Sequence, residues 1–491
     1  MPAPQMQQSR RESVLVYLGF AALMLGLQFA HDRVVGSDGF FHVAQAARLG
    51  EGMPWMPLSI FGDGWVDHHL LFHVLIAPLT WVLPGVLAAK VGAALLAAFG
   101  VWAIYFFLRS EGAPLAGLFA LLPVAICWTL LIRLEMPRAQ GLSLGLMVLG
   151  VMALVRDRPW VLFGICVVYT WAYQVAALMI PIAVLYLLVS WAPLGLERRR
   201  LAWHGPVAAI GGFLTGLVVH PHSPRTLRFF WQHVVLKVQN RAALPVGGEW
   251  EVGGFGSLLD LAGGGVAALV IALVLAVTTR RRELPVSRLT IFAILLAAAS
   301  TVGTLRSAKF LEYSVPLSCI ALAFAVRDRR LERSVRPLAL AGPLLALVVA
   351  GIAWSGWRTT AAVVDTEPAP DRLASAMQWL AEEEPDGARV YHLSWNDFPE
   401  LTYWGPDNEY IVGLDPHFLY LADPALWDLY DKIGKGWGTN PSKPIRDRFG
   451  ASWVVLVLPW PGAADLLDAD PGLRLAWSDD DARIYAVLPA M

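Results

Sequence analysis

Long apolar runs separated by short charged clusters extend from residue 13 to residue 357. A helix that crosses the hydrocarbon core of a bilayer needs about 20 predominantly apolar residues. Eleven runs approach or reach that length, and we predict each of them to be a membrane span. They are 13–31, 86–108, 114–132, 139–155, 160–176, 177–193, 205–220, 258–279, 288–304, 311–326 and 337–357.

The segment 69–83, HLLFHVLIAPLTWVL, is apolar but short. Counting it as a span would invert the orientation of every later loop. Its length and the loop parity both favour an interfacial or re-entrant helix, and a twelfth span is the alternative. Lys and Arg are enriched in short cytoplasmic loops. Placing the basic clusters inside predicts a cytoplasmic N-terminus, an extracytoplasmic C-terminus and two long external loops, 32–85 and 221–257.

The pattern changes after residue 358, where short β-like runs alternate with helical stretches. These runs are ARVYHLSW, EYIVGL, SWVVLVLP and ARIYAVLP. Strands alternating with helices predict a small α/β domain. The predicted fold is therefore a polytopic α-helical membrane protein of about 11 transmembrane helices, residues 1–357, followed by an extracytoplasmic α/β domain, residues 371–491.

Composition agrees with this pattern, because 56% of the residues are hydrophobic and 16% are charged, against about 25% charged in ordinary soluble domains. The formal net charge of −1 gives no indication of a nucleic-acid partner. The three cysteines lie inside apolar runs without metal-type spacing, which favours packing roles over disulfides. They are Cys127, Cys166 and Cys319.

The first long loop contains two candidate sites. In SDGFFHVAQAAR, Asp38 and His42 lie one helical turn apart, a spacing able to share a metal or a proton. A plain first-turn acid is the alternative for Asp38. In GDGWVDHHLLFH, His69 and His73 lie one helical turn apart, with Asp63 and Asp67 just upstream. These histidines and acids could bind a divalent metal, or could begin a polar interfacial helix.

Charged residues are also predicted at the external face in later loops. LIRLEMPRAQ places Arg133, Glu135 and Arg138 there, and ionisable groups beside a bilayer are functional candidates unless they form a structural pair. A basic, aromatic-rich set could hold a lipid phosphate or form an ordinary interfacial belt. That set comprises Arg225, Arg228, Lys237 and Arg306.

In order along the chain, these motifs resemble those of the GT-C membrane glycosyltransferases, with the oligosaccharyltransferase catalytic subunit as the nearest likeness. SDGFFHVAQAAR resembles the Asp-Gly-aromatic motif of the first external loop, and Glu135 lies where the second acidic motif is expected. The resemblance covers mainly residues 10–160. It departs from the family pattern because Glu135 stands alone and because the Trp-Trp-Asp motif has only imperfect counterparts, Trp395 and Asp397.

The resemblance implies that Asp38 and Glu135 are catalytic or metal-binding acids and that Trp395 and Asp397 contact the acceptor or belong to the external domain. The implied cofactor is a divalent metal, Mg²⁺ or Mn²⁺, for which the candidate ligands are Asp38, Glu135, His42, Asp67 and His69. The implied activity is transfer of a sugar or glycan from a polyprenyl-linked donor to an unidentified acceptor on the extracytoplasmic face of a bacterial inner membrane. A lipid or polyprenyl-linked substrate flippase is the alternative from another class, but the acids lie at span ends rather than at the midplane expected of a transporter.

Overall fold

The computed structural model describes residues 3–51, 56–192, 203–236, 255–281, 285–329, 337–436 and 438–490. Six helices in these ranges are long and apolar enough to cross a membrane. They are Gly85–Ser110, Gln174–Trp191, Gly256–Arg281, Arg288–Arg306, Ala308–Asp328 and Ala341–Thr366. The N-terminal helix Ala3–Gln28 is not among them. These elements agree with the predicted helical membrane region.

The predicted span 114–132 is not one straight helix. It consists of Ala116–Ile126 and Trp128–Glu135, which meet at an angle of 94°. The break falls at Cys127, whose backbone is extended, with φ −146° and ψ 93°. The Thr129 hydroxyl at the break donates to the Leu261 carbonyl oxygen at 2.5 Å. Hydropathy alone does not reveal such a break, because both halves are apolar.

Four further apolar helices have only 10–17 residues: Leu70–Thr80, Gln140–Val155, Pro159–Ala172 and His204–Val218. The last three occupy predicted spans, so the count of eleven spans is not confirmed. Leu70–Thr80 occupies the ambiguous segment, and its 11 residues are shorter than a bilayer crossing requires. Its relation to the membrane remains a prediction.

Small residues allow close approach between helices of the bundle, as is common among membrane helices. A Cβ added at Gly141 would lie 2.6 Å from the backbone of Leu96 and Ala97 in the helix Gly85–Ser110. Gly100 belongs to the helix Gly85–Ser110, and a Cβ added there would lie 2.9 Å from the Gly141 carbonyl oxygen. The two helices therefore pack backbone to backbone.

The C-terminal α/β region, defined here as residues 371–490, contains one five-stranded sheet in the order β2-β1-β3-β5-β4. The strands are β1 Arg389–His392, β2 Glu409–Tyr410, β3 Trp453–Val457, β4 Leu473–Ser478 and β5 Ala482–Val487. β1 pairs in parallel with β2 and β3, whereas β5 is antiparallel to β3 and β4. The helices are Ala374–Glu383, Phe398–Trp404, His417–Ala422, Pro424–Gly434, Ser442–Asp447 and Pro461–Asp468. The predicted α/β character is thus present, but β4 was not predicted and EYIVGL supplies only a two-residue strand.

The C-terminal α/β region packs directly on the first long loop. Phe41 and Phe61 belong to the same buried apolar cluster as Phe398 and Phe418. At the edge of this contact, Arg48 donates to the Pro406 carbonyl oxygen at 2.9 Å and pairs with Asp407 at 3.0 Å. The two parts of the chain therefore enclose space between them.

Candidate active site

One cavity, called the principal cavity here because several predicted site residues line it, lies where the first long loop, the helical bundle and the C-terminal α/β region meet. Its empty volume is about 560 Å³. Side chains from all three parts line it, among them Asp38, His42, His69, Arg138, Lys309 and Asp415. A concave site with converging polar groups is the usual form of a small-molecule or substrate site.

Asp38 is the first residue of the helix Asp38–Ala47, and its Oδ2 lies 2.5 Å from Nη2 of Arg138. The glycine that follows makes this contact possible. A Cβ at Gly39 would lie 2.9 Å from Cγ of Pro137, so only glycine lets the helix start approach the segment before Arg138. Ser37 does not cap the helix with its side chain. In the Asp-Gly pair, the glycine is therefore needed for close packing and the aspartate supplies the charge.

A chain of hydrogen bonds runs from Asp67 to the cavity. His73 Nδ1 lies 2.7 Å from Oδ2 of Asp67, and His42 Nδ1 lies 2.8 Å from Nε2 of His73. A carboxylate can only accept, so the shared proton of the first bond belongs to His73 Nδ1. When His73 accepts at Nε2, His42 carries its proton on Nδ1. His42 Nε2 is left as the unprotonated nitrogen of a ring that lines the cavity.

Burial and mutual repulsion keep the imidazoles of His42, His68 and His69 neutral. Burial lowers the pKa of His42 well below its usual value, and neighbouring His69, His73 and Arg138 add to the effect. Burial also lowers the pKa of His69 to about 3 and that of His68 well below normal. For Asp67 burial raises the pKa, but the charge and hydrogen bond of His73 outweigh it and the net pKa is lowered. The cavity therefore presents proton acceptors rather than imidazolium cations near neutral pH.

Glu135 contacts a histidine of the chain, His31. It is 2% exposed, and its Oε2 lies 3.4 Å from Nε2 of His31. It is not among the described residues that line the cavity. The structure thus places three of the five predicted metal ligands, Asp38, His42 and His69, on one cavity. Asp67 and Glu135 instead contact other histidines, and a site shared by all five remains a prediction.

The four basic residues predicted to hold a phosphate are not gathered at this cavity within the described part of the chain. Arg225 lines a second cleft of about 1180 Å³ together with Asp67. Arg228 is exposed and pairs with Asp63 at 3.4 Å. Arg306 ends the helix Arg288–Arg306 and does not line the cavity. Lys237 lies outside the described residues.

Trp395 and Asp397 form a short 3₁₀ turn after β1 in the C-terminal α/β region. Neither is among the described residues lining the cavity. Asp397 is buried, and burial raises the pKa of its carboxyl to about 7, with Arg372 opposing the change. The next residue, Phe398, lies 6.0 Å from Phe41 by ring centroids. A direct role of this turn at the acceptor remains a prediction.

The sequence predicted Arg138 and Lys309 as ionisable groups at the external face, but it did not predict that they meet Asp38 in one cavity. It did not single out His233, Asp415 or His417. His233 lies in an aromatic run, and Asp415 and His417 form a short Asp-Pro-His motif. That motif is the one local signal that could have drawn notice, and it is weak on its own.

Comparison with known proteins gives similarity in structure but not in sequence. No protein-family model matches the chain, and no curated protein matches it. The archaeal oligosaccharyltransferase AglB from Archaeoglobus fulgidus, in complex with an inhibitory peptide and a dolichol-phosphate, is similar with TM-score 0.62 and 11% identity over 91% of this chain and 70% of its own. ArnT from Cupriavidus metallidurans, bound to undecaprenyl phosphate, gives TM-score 0.60 and 14% identity over 96% of this chain and 97% of its own.

The arabinofuranosyltransferase AftD from Mycobacteria gives TM-score 0.58 and 16% identity, covering 98% of this chain but 42% of its own. At these identities the likeness is one of fold. The shared fold is that of multi-pass membrane glycosyltransferases, the GT-C fold, which confirms the resemblance inferred from the motifs.

Proposed function

We propose that this GT-C-fold chain is a glycosyltransferase that moves a sugar or glycan from a polyprenyl-linked donor to an acceptor. The observation that carries the proposal is the cavity in which the Asp38 carboxylate, neutral imidazoles and the cations Arg138 and Lys309 converge. Two of the similar structures contain a polyprenyl-type phosphate, undecaprenyl phosphate in ArnT and a dolichol-phosphate in AglB. A donor of that class suits a cavity with fixed positive charge.

The proposed reaction is a displacement at the anomeric carbon of the donor sugar. An acceptor hydroxyl or amide attacks that carbon, the bond from the carbon to the phosphate oxygen breaks, and the polyprenyl phosphate or diphosphate leaves with the electron pair. The acceptor's proton passes to a base in the cavity. The reaction therefore balances with the donor and the acceptor as its only reactants.

Each side chain has a distinct part in this scheme. Asp38 receives the acceptor's proton, a task for which a positioned carboxylate typically contributes 10²–10⁴-fold in rate. Arg138 and Lys309 stabilise the departing phosphate, as preorganised positive groups do where negative charge develops. His42, held by His73 and Asp67, accepts a hydrogen bond that orients the acceptor.

We also propose the orientation that the basic clusters predict, with the N-terminus in the cytoplasm and the cavity outside a bacterial inner membrane. The acceptor is then a lipid, polysaccharide or protein on the extracytoplasmic side. Trp395 and Asp397 are candidates for contact with a large acceptor, because their turn adjoins the Phe41–Phe398 contact next to the cavity. Arg225 and Arg228 are candidates for guiding the lipid phosphate from the second cleft.

The test uses the full chain in proteoliposomes supplied with undecaprenyl phosphate carrying radiolabelled pentoses or hexoses, and with lipid acceptors. We expect transfer by the wild type, and a loss of at least 10²-fold in Asp38→Asn at unchanged protein yield. The matched control is Asp371→Asn, an exposed acid in the segment before the C-terminal helices. Movement of labelled donor across the bilayer without transfer would favour a flippase, and equal transfer by Asp38→Asn would remove Asp38 from the chemistry.

A further inference from the structure

Three buried side chains from two distant parts of the chain converge beside the principal cavity. His233 lies in the π-helical turn Trp231–Val235 of the second long loop. Asp415 and His417 lie at the start of the helix His417–Ala422 in the C-terminal α/β region. Their exposed fractions are 6%, 8% and 0%, and one ligand atom from each lies within 4.8 Å of the others.

We propose that His233, Asp415 and His417 form a binding site for a Zn²⁺-class metal ion, which ties the C-terminal α/β region to the second long loop. Two nitrogens bound to a tetrahedral zinc at about 2.0–2.1 Å lie roughly 3.3 Å apart. His233 Nδ1 and His417 Nε2 are 3.2 Å apart, with their rings stacked at 5.1 Å. The imidazole pair thus already has the spacing of two ligands of one ion.

The carboxylate is held beside this pair. Asp415 Oδ1 lies 2.7 Å from Nδ1 of His417, and the preceding residue, Leu414, has a φ of +62°. A bulky residue in the left-handed region is strained and persists where its surroundings enforce it. The strained turn places Asp415 beside His417.

The donor set selects the class of metal. Two imidazoles and one carboxylate suit Zn²⁺ and related transition metals, whereas Mg²⁺ requires oxygen ligands and Mn²⁺ favours them. The inferred ion therefore differs from the Mg²⁺ or Mn²⁺ that the acidic motifs indicate. Because His233 and Asp415 also line the principal cavity, a remaining coordination position would face it, as in zinc sites that admit a substrate or water.

The consequence is mechanical as well as chemical. His233 and His417 are 184 residues apart in sequence, so one ion would cross-link the second long loop to the region that covers the cavity. Binding to the folded state alone raises stability by mass action, by about 2.7 kcal/mol at a metal concentration of 100 times Kd. The site therefore predicts a metal-dependent thermal midpoint that requires no donor or acceptor, and it does not depend on the proposed transfer reaction.

The experiment uses the full chain in detergent, purified with a tag that contains no histidine, stripped with chelator and titrated with Zn²⁺. Elemental analysis should give one Zn²⁺ per chain, and Zn²⁺ should raise the thermal midpoint. His233→Gln and His417→Gln should each weaken binding at least 100-fold and abolish the rise. The matched control, His392→Gln, removes another fully buried histidine of the C-terminal α/β region and should bind Zn²⁺ like the wild type.

Three outcomes would overturn the inference: no Zn²⁺ on a stripped chain that still elutes as a folded species, unchanged affinity in both histidine variants, or equal binding of Mg²⁺ or Mn²⁺. Gel filtration of each variant identifies misfolding. The transfer assay is separate. A chain that binds Zn²⁺ but transfers no sugar would therefore contradict the proposed function and leave the zinc site supported.

Discussion

At the scale of single residues, the cavity is organised by contacts that few side chains can supply. Gly39 permits the approach of Asp38 to Arg138, and the hydrogen-bonded series of Asp67, His73 and His42 fixes one tautomer of each ring. In both cases a residue outside the cavity sets a property of a residue inside it: the position of Asp38 in the first case and the tautomer of His42 in the second. Substitutions at this scale should therefore alter rate more than folding.

Asp67→Asn is the sharpest test of the hydrogen-bonded series. An amide can present an N–H to His73 Nδ1, which reverses the donor and acceptor roles along the series and leaves His42 protonated on the wrong nitrogen. By analogy with serine proteases, where such a change of tautomer lowers kcat about 10⁴-fold, we expect a fall in kcat of at least 10-fold with KM little changed.

Steady-state kinetics with the labelled donor would measure this effect. Asp63→Asn, which alters an exposed acid of the same loop, should leave kcat unchanged. Equal kcat in wild type and Asp67→Asn would show that the series has no part in catalysis.

Asp397 predicts a dependence of stability on pH. Its carboxyl has a pKa raised by burial to about 7, against 3.8 in the unfolded chain, so between these values the folded state holds a proton that the unfolded state has lost. Stability contributed by this group therefore falls as pH rises from about 4 to about 7, by roughly a few kcal/mol, and is level outside that window.

Asp397→Asn should flatten that slope, because an amide does not titrate. Thermal midpoints of the full chain between pH 4.5 and 8 would show the difference. Asp386→Asn, an acid on the surface of the same region, should keep the wild-type slope. An identical slope in Asp397→Asn would contradict the raised pKa.

At the scale of elements, apolar runs predicted the positions of helices well. The length and straightness of each helix depended on the segments packed against it. The run 114–132 contains a break at Cys127 that is stabilised by hydrogen bonds to Leu261, far along the chain. The strand β4, LRLAWS, was not predicted from sequence although its residues partly alternate in character. It is an edge strand whose side chains are mostly exposed or half-buried, so its hydrophobic signal is weak.

The backbone contact between two membrane helices gives a prediction at this scale. Gly141→Ala would place a Cβ 2.6 Å from the backbone of Leu96 and Ala97, and backbone cannot move aside as a flexible side chain can. We expect destabilisation of about 1–3 kcal/mol, measured as a lower thermal midpoint in detergent. Gly164→Ala, at a helix position with nothing within 4 Å of the added Cβ, should not lower the midpoint. Equal midpoints would mean that the two helices are not so closely packed.

At the scale of the whole molecule, one cluster of basic residues lies at the end of the bundle away from the cavity. The helix Pro159–Ala172 has Arg158 at its start and reaches the cavity residue Tyr173 at its end. Near the Arg158 end, Arg156 pairs with Glu111 at 2.9 Å, and Arg327 donates to the Glu111 carbonyl oxygen. Basic residues gathered at the end away from the cavity are the arrangement that the positive-inside rule associates with the cytoplasm.

This arrangement predicts which surfaces a membrane-impermeant maleimide can reach on intact cells. Cys127, Cys166 and Cys319 are buried, so introduced cysteines at exposed positions should dominate labelling. Asp480→Cys, in the C-terminal α/β region, should react directly, whereas Arg158→Cys should react only after permeabilisation. The opposite result would reverse the proposed orientation.

The sequence by itself determined the membrane class, the positions of most helices and the α/β character of the C-terminal region. Those properties are local, since hydropathy, alternation and turn chemistry act over a few residues to about 20. Tertiary structure decided which charged groups meet. These contacts depend on how distant segments pack, and no local sequence pattern encodes that packing. Examples are Asp38 with Arg138, His42 with His73 across 31 residues and His233 with His417 across 184. Glu135 shows the converse, because its motif was recognised but the fold pairs it with His31 and does not place it among the described residues that line the cavity.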